Sequence, residues 1–191
     1  MDLDESRVHA ARSQDLAGEL AKAKAAAAEV NGRHEFVLAA DTVVIDDGSI
    51  LGKPEDEKEA LQMLRRLRGR SHQVVTAIAV RHIASGRTLL EACLTDVPMR
   101  MYSEGELERY VQSGSPLDKA GAYGIQDASF APVDAAAFSG CYANVMGLPL
   151  CHLTRALRAF GWEPLQAVPA ACARETGYDC PVYSSILRGD V

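Results

Sequence analysis

The sequence places a carboxylate at the end of an apolar segment and a lysine across from it. Asp41 follows the apolar run 36–40, and a charge there is costly unless it lies at the end of a sheet or has partners. The turn signal at 46–48 returns the chain as a hairpin. A three-residue loop sets Lys53 opposite Asp41, and a two-residue loop sets it opposite Thr42. Either register brings the lysine within one residue of the carboxylate, because opposed Cβ atoms lie about 5 Å apart.

A second lysine flanks the buried stripe of the first predicted helix, residues 13–28. Lys24 lies about 40° round the helix from Leu20, whereas Lys22 lies about 160° away and points into solvent. A lysine beside an apolar face either extends past the core to water or reaches into a pocket. From this geometry alone we favour the first arrangement for Lys24.

A third segment, 118–126, reads Asp-Lys-Ala-Gly-Ala-Tyr-Gly-Ile-Gln. Its glycines and small residues let a backbone approach a ligand closely, and Lys119 places a cation at its start. Gln126 offers both a donor and an acceptor, which suits the edge of a nucleobase. Taken alone, the segment is better explained as a turn-rich stretch leading into a strand.

The common catalytic and metal-binding motifs are missing from the sequence. Residues 48–53 are one residue too short between glycines for a P-loop, and Pro54 replaces the Ser or Thr. There is no GxGxxG, HExxH, GxSxG or zinc-ligand spacing. The five cysteines form no CxxC pair, so we expect reduced or buried thiols. Cys172 and Cys180 are near enough in sequence to pair or share a metal, but two ligands do not make a site.

Helices and strands alternate along the chain, which predicts an α/β fold with a mixed twisted sheet. We expect helices at 13–28, 54–68, 103–113 and 149–161, and strands at 36–45, 49–51, 73–81 and 88–101. The region 114–147 is expected to be loop and short strand. We therefore expect one domain at 1–162 and a mixed C-terminal tail at 163–191.

Composition limits the class of partner. The 191 residues include 20 Lys+Arg and 26 Asp+Glu, a formal net charge of −6. This balance argues against a nucleic-acid polymer or an anionic membrane as partner, although a few lysines can still focus a positive pocket on a small anion. No apolar run approaches the roughly 18 residues of a membrane helix. The acidic N-terminus lacks the order of a signal peptide, so we expect a cytoplasmic protein.

Five segments, at 40–44, 51–54, 69–76, 118–126 and 145–150, form a pattern in a fixed order and spacing. They resemble the Maf family of nucleoside triphosphate pyrophosphatases, over about residues 2 to 160. The resemblance implies a Maf- or inosine-triphosphatase-like fold and a cytoplasmic, often homodimeric hydrolase of nucleotide metabolism. Such an enzyme uses a divalent metal, Mg²⁺ or Mn²⁺, to split a nucleoside triphosphate into a monophosphate and pyrophosphate.

The resemblance also implies a role for each candidate residue. The implied roles are catalytic base for Asp41, metal ligand for Glu5, phosphate binding for Lys24, Lys53 and Lys119, and base selection for Thr42 and Gln126. The strings at 41–42 and 123–126 are similar to the branch that acts on dTTP and UTP, with modified pyrimidine nucleotides as a further expectation. They speak against a purine-editing enzyme that prefers ITP. Asp127 stands where the family usually has glycine, so we expect an altered pocket rim.

One departure from the family concerns the N-terminus. Family members begin with a strand, a Ser-x-Ser-Pro-Arg-Arg loop and a helix, and this sequence shows none of them. A missing strand would leave a sheet neighbour unpaired. We favour a misassigned start codon and a longer, active protein, because Asp41, Lys53, Lys119 and Gln126 are intact. The alternative is a truncated, non-catalytic module for nucleotide binding or dimerisation.

Overall fold

A four-stranded sheet organises the part of the chain that the computed structural model describes, residues 4–30 and 34–190. The strands are β1 (Phe36–Asp46), β2 (Ser49–Leu51), β3 (Ser71–His82) and β4 (Thr88–Pro98), in the order β2-β1-β3-β4. The prediction of a single-domain α/β fold is confirmed.

The prediction of a mixed sheet is wrong for the described strands, because each neighbouring pair is antiparallel. The chain returns antiparallel to β1 twice, first through the hairpin into β2 and then through a helical crossover into β3. As a result β2 and β3 run in the same direction, but β1 lies between them and keeps them from pairing.

Helices cover both faces of this sheet. They are α1 (Ser13–Ala27), α2 (Glu57–Leu67), α3 (Glu104–Gln112), α4 (Tyr142–Val145), α5 (Leu150–Arg158), α6 (Val168–Thr176) and α7 (Tyr183–Arg188), with 3-10 turns at Glu5–Arg7, Ser115–Asp118 and Ala120–Ala122. The capping box predicted for α3 is present, since Ser103 and Glu106 each accept from the other's backbone N–H. Helix α2 begins later than predicted, because the Asp56 side chain caps it by accepting from the Glu59 N–H at 2.8 Å.

Small residues bring α1 close to the first face of the sheet. Ala17, Ala21 and Ala25 are buried against Val43 and Ala77 of the two central strands. A Cβ at Gly18 would lie 3.2 Å from the Leu90 side chain, which is tighter than an ordinary contact. The predicted helix is therefore confirmed as a close-packed layer. Its predicted stop signal at 31–32 lies outside the described residues.

The second face of the sheet carries the larger core and the long irregular region. The stretch 114–147, predicted as loop and short strand, contains short helical turns, α4 and a single bridge between Met99 and Val133. No strand forms there within the described residues. Asn144 of α4 is completely buried and bonds to the backbone of β3 at Val74 and Thr76.

The C-terminal segment is more ordered than the predicted mixed tail, because it forms α6 and α7. Both helices contact α5, and Ile186 of α7 is 2% exposed. The Arg155 guanidinium donates to the Ile186 carbonyl at 3.0 Å and also pairs with Glu91 of β4. Within the described ranges, no helix is both long enough and apolar enough to cross a bilayer.

Within the described residues, one edge of β1 is open along most of its length, with no strand beside it. The strand pairs with β3 from Phe36 to Ile45, whereas its pairing with β2 covers only Val44–Asp46. In the described residues the other edge of 36–43 has no strand beside it. Within the described residues, the backbone at Asp41 and Thr42 thus has a strand partner on one side only, which is β3.

Candidate functional site

Two consecutive residues of β1 point to opposite faces of the sheet. Successive side chains of a strand alternate between faces, so Asp41 shares a face with Val43, which packs under α1. Thr42 shares the other face with Val44, and both line a cavity. The candidate residues therefore form two groups that meet at one point of β1.

The group on the α1 face consists of two carboxylates around one ammonium. Lys24 Nζ lies 2.5 Å from Asp41 Oδ1 and 3.0 Å from Glu5 Oε1. The Asp41 side chain is 12% exposed and that of Lys24 is 31% exposed. Lys24 therefore reaches inward to Asp41, contrary to our expectation that it extends past the core. Lys22 is exposed as predicted and pairs with Glu19.

The pKa values of Asp41 and Lys24 are both raised, but for different reasons. Burial raises the pKa of Asp41; the hydrogen bond and charge of Lys24 oppose the rise, and the nearby charge of Glu5 adds to it. Burial lowers the pKa of Lys24, but its contacts with Asp41 and Glu5 outweigh burial, so the pKa of Lys24 is raised. Lys24 therefore stays an ammonium, and Asp41 is the group suited to accept a proton.

The group on the opposite face surrounds a cavity of about 240 Å³. Thr42, Val44 and Val74 form its strand side, and the loop 145–147 closes another side. Four further residues line its wall and contribute two ammonium groups, a glycine backbone and a side-chain amide: Lys53, Lys119, Gly124 and Gln126. The cavity is thus apolar at the sheet and polar at its rim, as small-molecule sites usually are.

The hairpin register explains how Lys53 reaches this cavity. Asp46 pairs with Ser49 and Val44 with Leu51, which is the two-residue loop of the two alternatives considered above. Continued by two residues, this register sets Lys53 opposite Thr42 rather than Asp41, although pairing itself ends at Leu51. Lys53 therefore belongs to the cavity face.

Acidic neighbours surround the other cavity lysine. Lys119 Nζ donates to the Ser115 carbonyl at 2.6 Å and to Asp118 at 2.8 Å, and it lies 4.0 Å from Asp127 Oδ2. The Asp127 carboxylate also accepts from the Tyr110 hydroxyl. Asp127, which stands where the family usually has glycine, therefore ties the cavity rim to Tyr110 and weakens the positive charge of Lys119.

Both groups of residues lie in a part of the chain that matches a known protein family. The family model described as "Maf-like protein" matches residues 1–160. The chain belongs to the Maf family. Because most of the chain is matched, both groups of residues lie within the family domain, and α6 and α7 follow it.

Curated relatives of this Maf-family chain carry the name "dTTP/UTP pyrophosphatase". The relative from Dehalococcoides mccartyi strain BAV1 is 46% identical over 129 residues, which is 68% of this chain and 57% of that protein. The relative from Salinibacter ruber is 48% identical over 151 residues, covering 79% of this chain and 74% of the relative. The relative from Desulforamulus reducens is 39% identical over 162 residues, covering 85% and 84%. The matched part of the chain thus spans less than two thirds of the Dehalococcoides protein.

The structure separates the Maf-family positions more than the sequence predicted. All three lysines were expected around Asp41, but only Lys24 contacts it, while Lys53 and Lys119 line the cavity with Thr42 and Gln126. The period-two alternation of a strand could have revealed this division, because it sends Asp41 and Thr42 to opposite faces. The functional roles implied for these residues remain predictions.

Sequence reasoning missed the apolar and buried partners of the cavity. Val74 and Met146 line it, and Asn144 and Thr76 lie buried behind Thr42. Two signals pointed to Thr76: it ends the family-pattern segment 69–76, and it lies in an apolar strand, where a hydroxyl needs a partner. No spacing rule connects it with Asn144, which lies 68 residues further along the chain.

The carboxylates of the α1 face are the candidate metal ligands. The described residues contain no group of three or more His, Cys, Asp or Glu arranged to hold a metal ion. Glu5 and Asp41 nevertheless converge on the same ammonium. Mg²⁺ is commonly held by one or two carboxylates together with water and substrate phosphates. The Glu5 side chain is 55% exposed, so it offers a carboxylate oxygen that suits a divalent cation whose remaining ligands come from substrate and water.

Proposed function

We propose that this protein hydrolyses pyrimidine nucleoside triphosphates, dTTP and UTP foremost, to a nucleoside monophosphate and pyrophosphate. The observation that carries the proposal is the meeting of the two groups at one open edge of β1. A cavity with Lys53, Lys119 and Gln126 at its wall lies on one side of that edge. A carboxylate held by a lysine, Asp41 with Lys24, lies on the other.

The two groups suit the two ends of such a substrate. The apolar cavity is suited to a nucleobase, with Gln126 at its edge as a donor and acceptor. The triphosphate carries several negative charges, which must be neutralised before a nucleophile can approach phosphorus. Lys53 and Lys119 at the cavity wall would supply part of that neutralisation.

Asp41 is the proposed general base. A carboxylate whose pKa is raised by burial is a better proton acceptor than an exposed one, and catalytic groups work best when their pKa lies close to the working pH. Lys24 holds Asp41 Oδ1 at 2.5 Å, which leaves the second carboxylate oxygen for a water molecule. In this proposal Asp41 orients that water and takes its proton.

Glu5 would contribute a carboxylate ligand to the divalent cation, Mg²⁺ or Mn²⁺, as the family resemblance implies. When bound, the cation supplies charge neutralisation for the phosphates. The names of the relatives support the choice of dTTP and UTP. We further propose a cytoplasmic homodimer, as the family resemblance implies. Light scattering of the purified chain tests the dimer.

The test is release of pyrophosphate from a panel of UTP, dTTP, CTP, 7-methyl-GTP and ITP, with and without Mg²⁺. We expect metal-dependent release that is fastest with UTP or dTTP. Preferred release from ITP or 7-methyl-GTP would contradict the assignment. Thermal stabilisation by UTP with no pyrophosphate released would instead indicate a module that binds nucleotides without hydrolysing them.

A further inference from the structure

A chain of hydrogen bonds runs from the cavity into the core. The hydroxyls of Thr42 and Thr76 lie 2.9 Å apart, and the Thr76 hydroxyl donates to the Asn144 carbonyl at 2.9 Å. Thr76 and Asn144 are both completely buried, whereas Thr42 lines the cavity. A ligand in the cavity can therefore contact this series of hydrogen bonds at Thr42 but not at Thr76 or Asn144.

The direction of these bonds follows from the number of protons. A threonine hydroxyl has a single proton, and a backbone carbonyl can only accept. Were Thr76 to turn its proton towards Thr42, its oxygen and the Asn144 carbonyl oxygen would face each other at 2.9 Å with no proton between them. Such an unpaired buried contact is costly. Thr76 must therefore accept from Thr42, so the proton of Thr42 points into the core.

Asn144 cannot move to relieve this constraint. Its side-chain oxygen accepts from the Thr76 N–H at 3.1 Å, and its amide nitrogen donates to the Val74 carbonyl at 3.0 Å and to Thr95 Oγ1 at 2.9 Å. A backbone N–H and a backbone carbonyl at its two ends fix the orientation of the amide. Its own carbonyl also accepts from the Gly147 N–H at 2.9 Å. The acceptor for Thr76 is thus fixed in place.

The Thr42 oxygen consequently offers the cavity lone pairs and no proton. A ligand atom that hydrogen-bonds to it must be a donor. The ring N3 of uracil and thymine carries a proton, whereas the ring N3 of cytosine is an acceptor. Gln126 does not discriminate in this way, because its amide can rotate to present either group.

We propose that Thr76 is a specificity-determining positioning residue. By taking the proton of Thr42, it makes the cavity select pyrimidines with a ring imide N–H, uracil and thymine, over cytosine. The inference rests on the proposed function in that it assigns the cavity to the nucleobase. It adds a residue that does not touch the substrate and acts only through Thr42.

The experiment compares Thr76→Val with two matched variants. Thr76→Val keeps the shape of the side chain and removes the hydroxyl, so that the proton of Thr42 is free to turn into the cavity. The Asn144 carbonyl keeps the Gly147 N–H as a donor. Thr76→Ser retains the hydroxyl and should keep the selectivity for uracil over cytosine. Thr95→Val removes a different contact of Asn144 and leaves the bond between Thr42 and Thr76 in place.

The readouts are kcat/KM for UTP and CTP and calorimetric dissociation constants for UMP and CMP. We expect Thr76→Val to reduce the preference for uracil over cytosine about tenfold, the usual cost of one mispaired polar contact, chiefly through better use of the cytosine nucleotides. Thr76→Ser and Thr95→Val should keep the preference of the unaltered chain. Thermal melting confirms that each variant is folded.

The inference is wrong if the unaltered protein binds UMP and CMP equally. It is also wrong if Thr76→Val leaves the preference for uracil over cytosine unchanged, or if Thr95→Val reduces that preference as much as Thr76→Val does. Selective binding of UMP that depends on Thr76, with no release of pyrophosphate from any triphosphate, would instead contradict the proposed function and leave this inference intact.

Discussion

The two faces of the sheet at β1 present the same kinds of charged group in different states. On the α1 face the Lys24 ammonium is enclosed by Asp41 and Glu5. On the opposite face Lys53 is exposed at a cavity of about 240 Å³. The first arrangement fixes a carboxylate in one position, and the second leaves a cation exposed at a cavity wall.

This difference indicates how one short stretch of strand can serve two purposes. Asp41 and Thr42 are neighbours in sequence, with Cα atoms about 3.8 Å apart, yet their side chains lie in separate environments. In the proposed function the substrate connects the two by crossing the open edge of β1. If the two faces act as one site, substitutions on either face change the kinetics of the same reaction.

Asp41→Asn should lower the turnover number roughly 100-fold or more while leaving KM for UTP nearly unchanged, because the amide cannot accept the proton of water. Steady-state release of pyrophosphate measures both constants. Asp47→Asn, on the exposed tip of the hairpin, is the matched control and should retain full turnover. An unchanged turnover number in Asp41→Asn would remove Asp41 from the mechanism.

Lys53→Met should raise KM for UTP about tenfold, because it removes one charge-assisted contact with the phosphates. The turnover number should change less than KM. Lys58→Met removes an exposed lysine from α2 and should change neither constant. Equal values of KM in the two variants would show that the cavity face does not bind the phosphates.

Lys24→Met should move the acidic limb of the pH profile of kcat/KM to higher pH. The Lys24 ammonium lowers the pKa of Asp41, so its removal raises that pKa further. Because the proposed base must be deprotonated, activity then falls at a higher pH as the solution is acidified. Lys22→Met, two residues away on the exposed side of α1, is the control and should leave the pH profile unchanged. If the profile of Lys24→Met is also unchanged, the contact between Lys24 and Asp41 plays no part in catalysis.

Asp127→Asn should lower KM for UTP by about twofold, because it removes a partly exposed negative charge beside Lys119 and such surface interactions are weak. The amide keeps an acceptor for the Tyr110 hydroxyl and removes the charge 4.0 Å from Lys119. Asp118→Asn, whose carboxylate lies 2.8 Å from the same ammonium, gives a parallel measurement. An increase of KM in Asp127→Asn would mean that the carboxylate matters for the shape of the rim rather than for its charge.

Local patterns predicted much of this fold. Helix α1, the capping box of α3 and the hairpin after Asp46 each depend on residues close in sequence. The helix predicted at 54–68 is present as α2, and its last turn carries basic residues. These features could be predicted because their causes act over a few residues.

Other features depend on contacts that no local pattern contains. Asp46 was interpreted as a turn residue, but it is 1% exposed and pairs with Arg66 and Arg70 from a helix and a turn further along the chain. The two helices after residue 162 were not predicted, because their stability comes from packing on α5 rather than from a strong periodic pattern.

For the candidate site, the sequence supplied the residue types and, through the family pattern, the candidates among them. The fold then brought Asp41 to Lys24, gathered Thr42, Lys53, Lys119 and Gln126 around one cavity, and set the Thr76 hydroxyl 2.9 Å from that of Thr42. The physical reason is that hydrogen bonds and charges act over a few ångströms in space. The distance between the partners along the chain, up to 68 residues for Thr76 and Asn144, leaves no trace in composition or spacing.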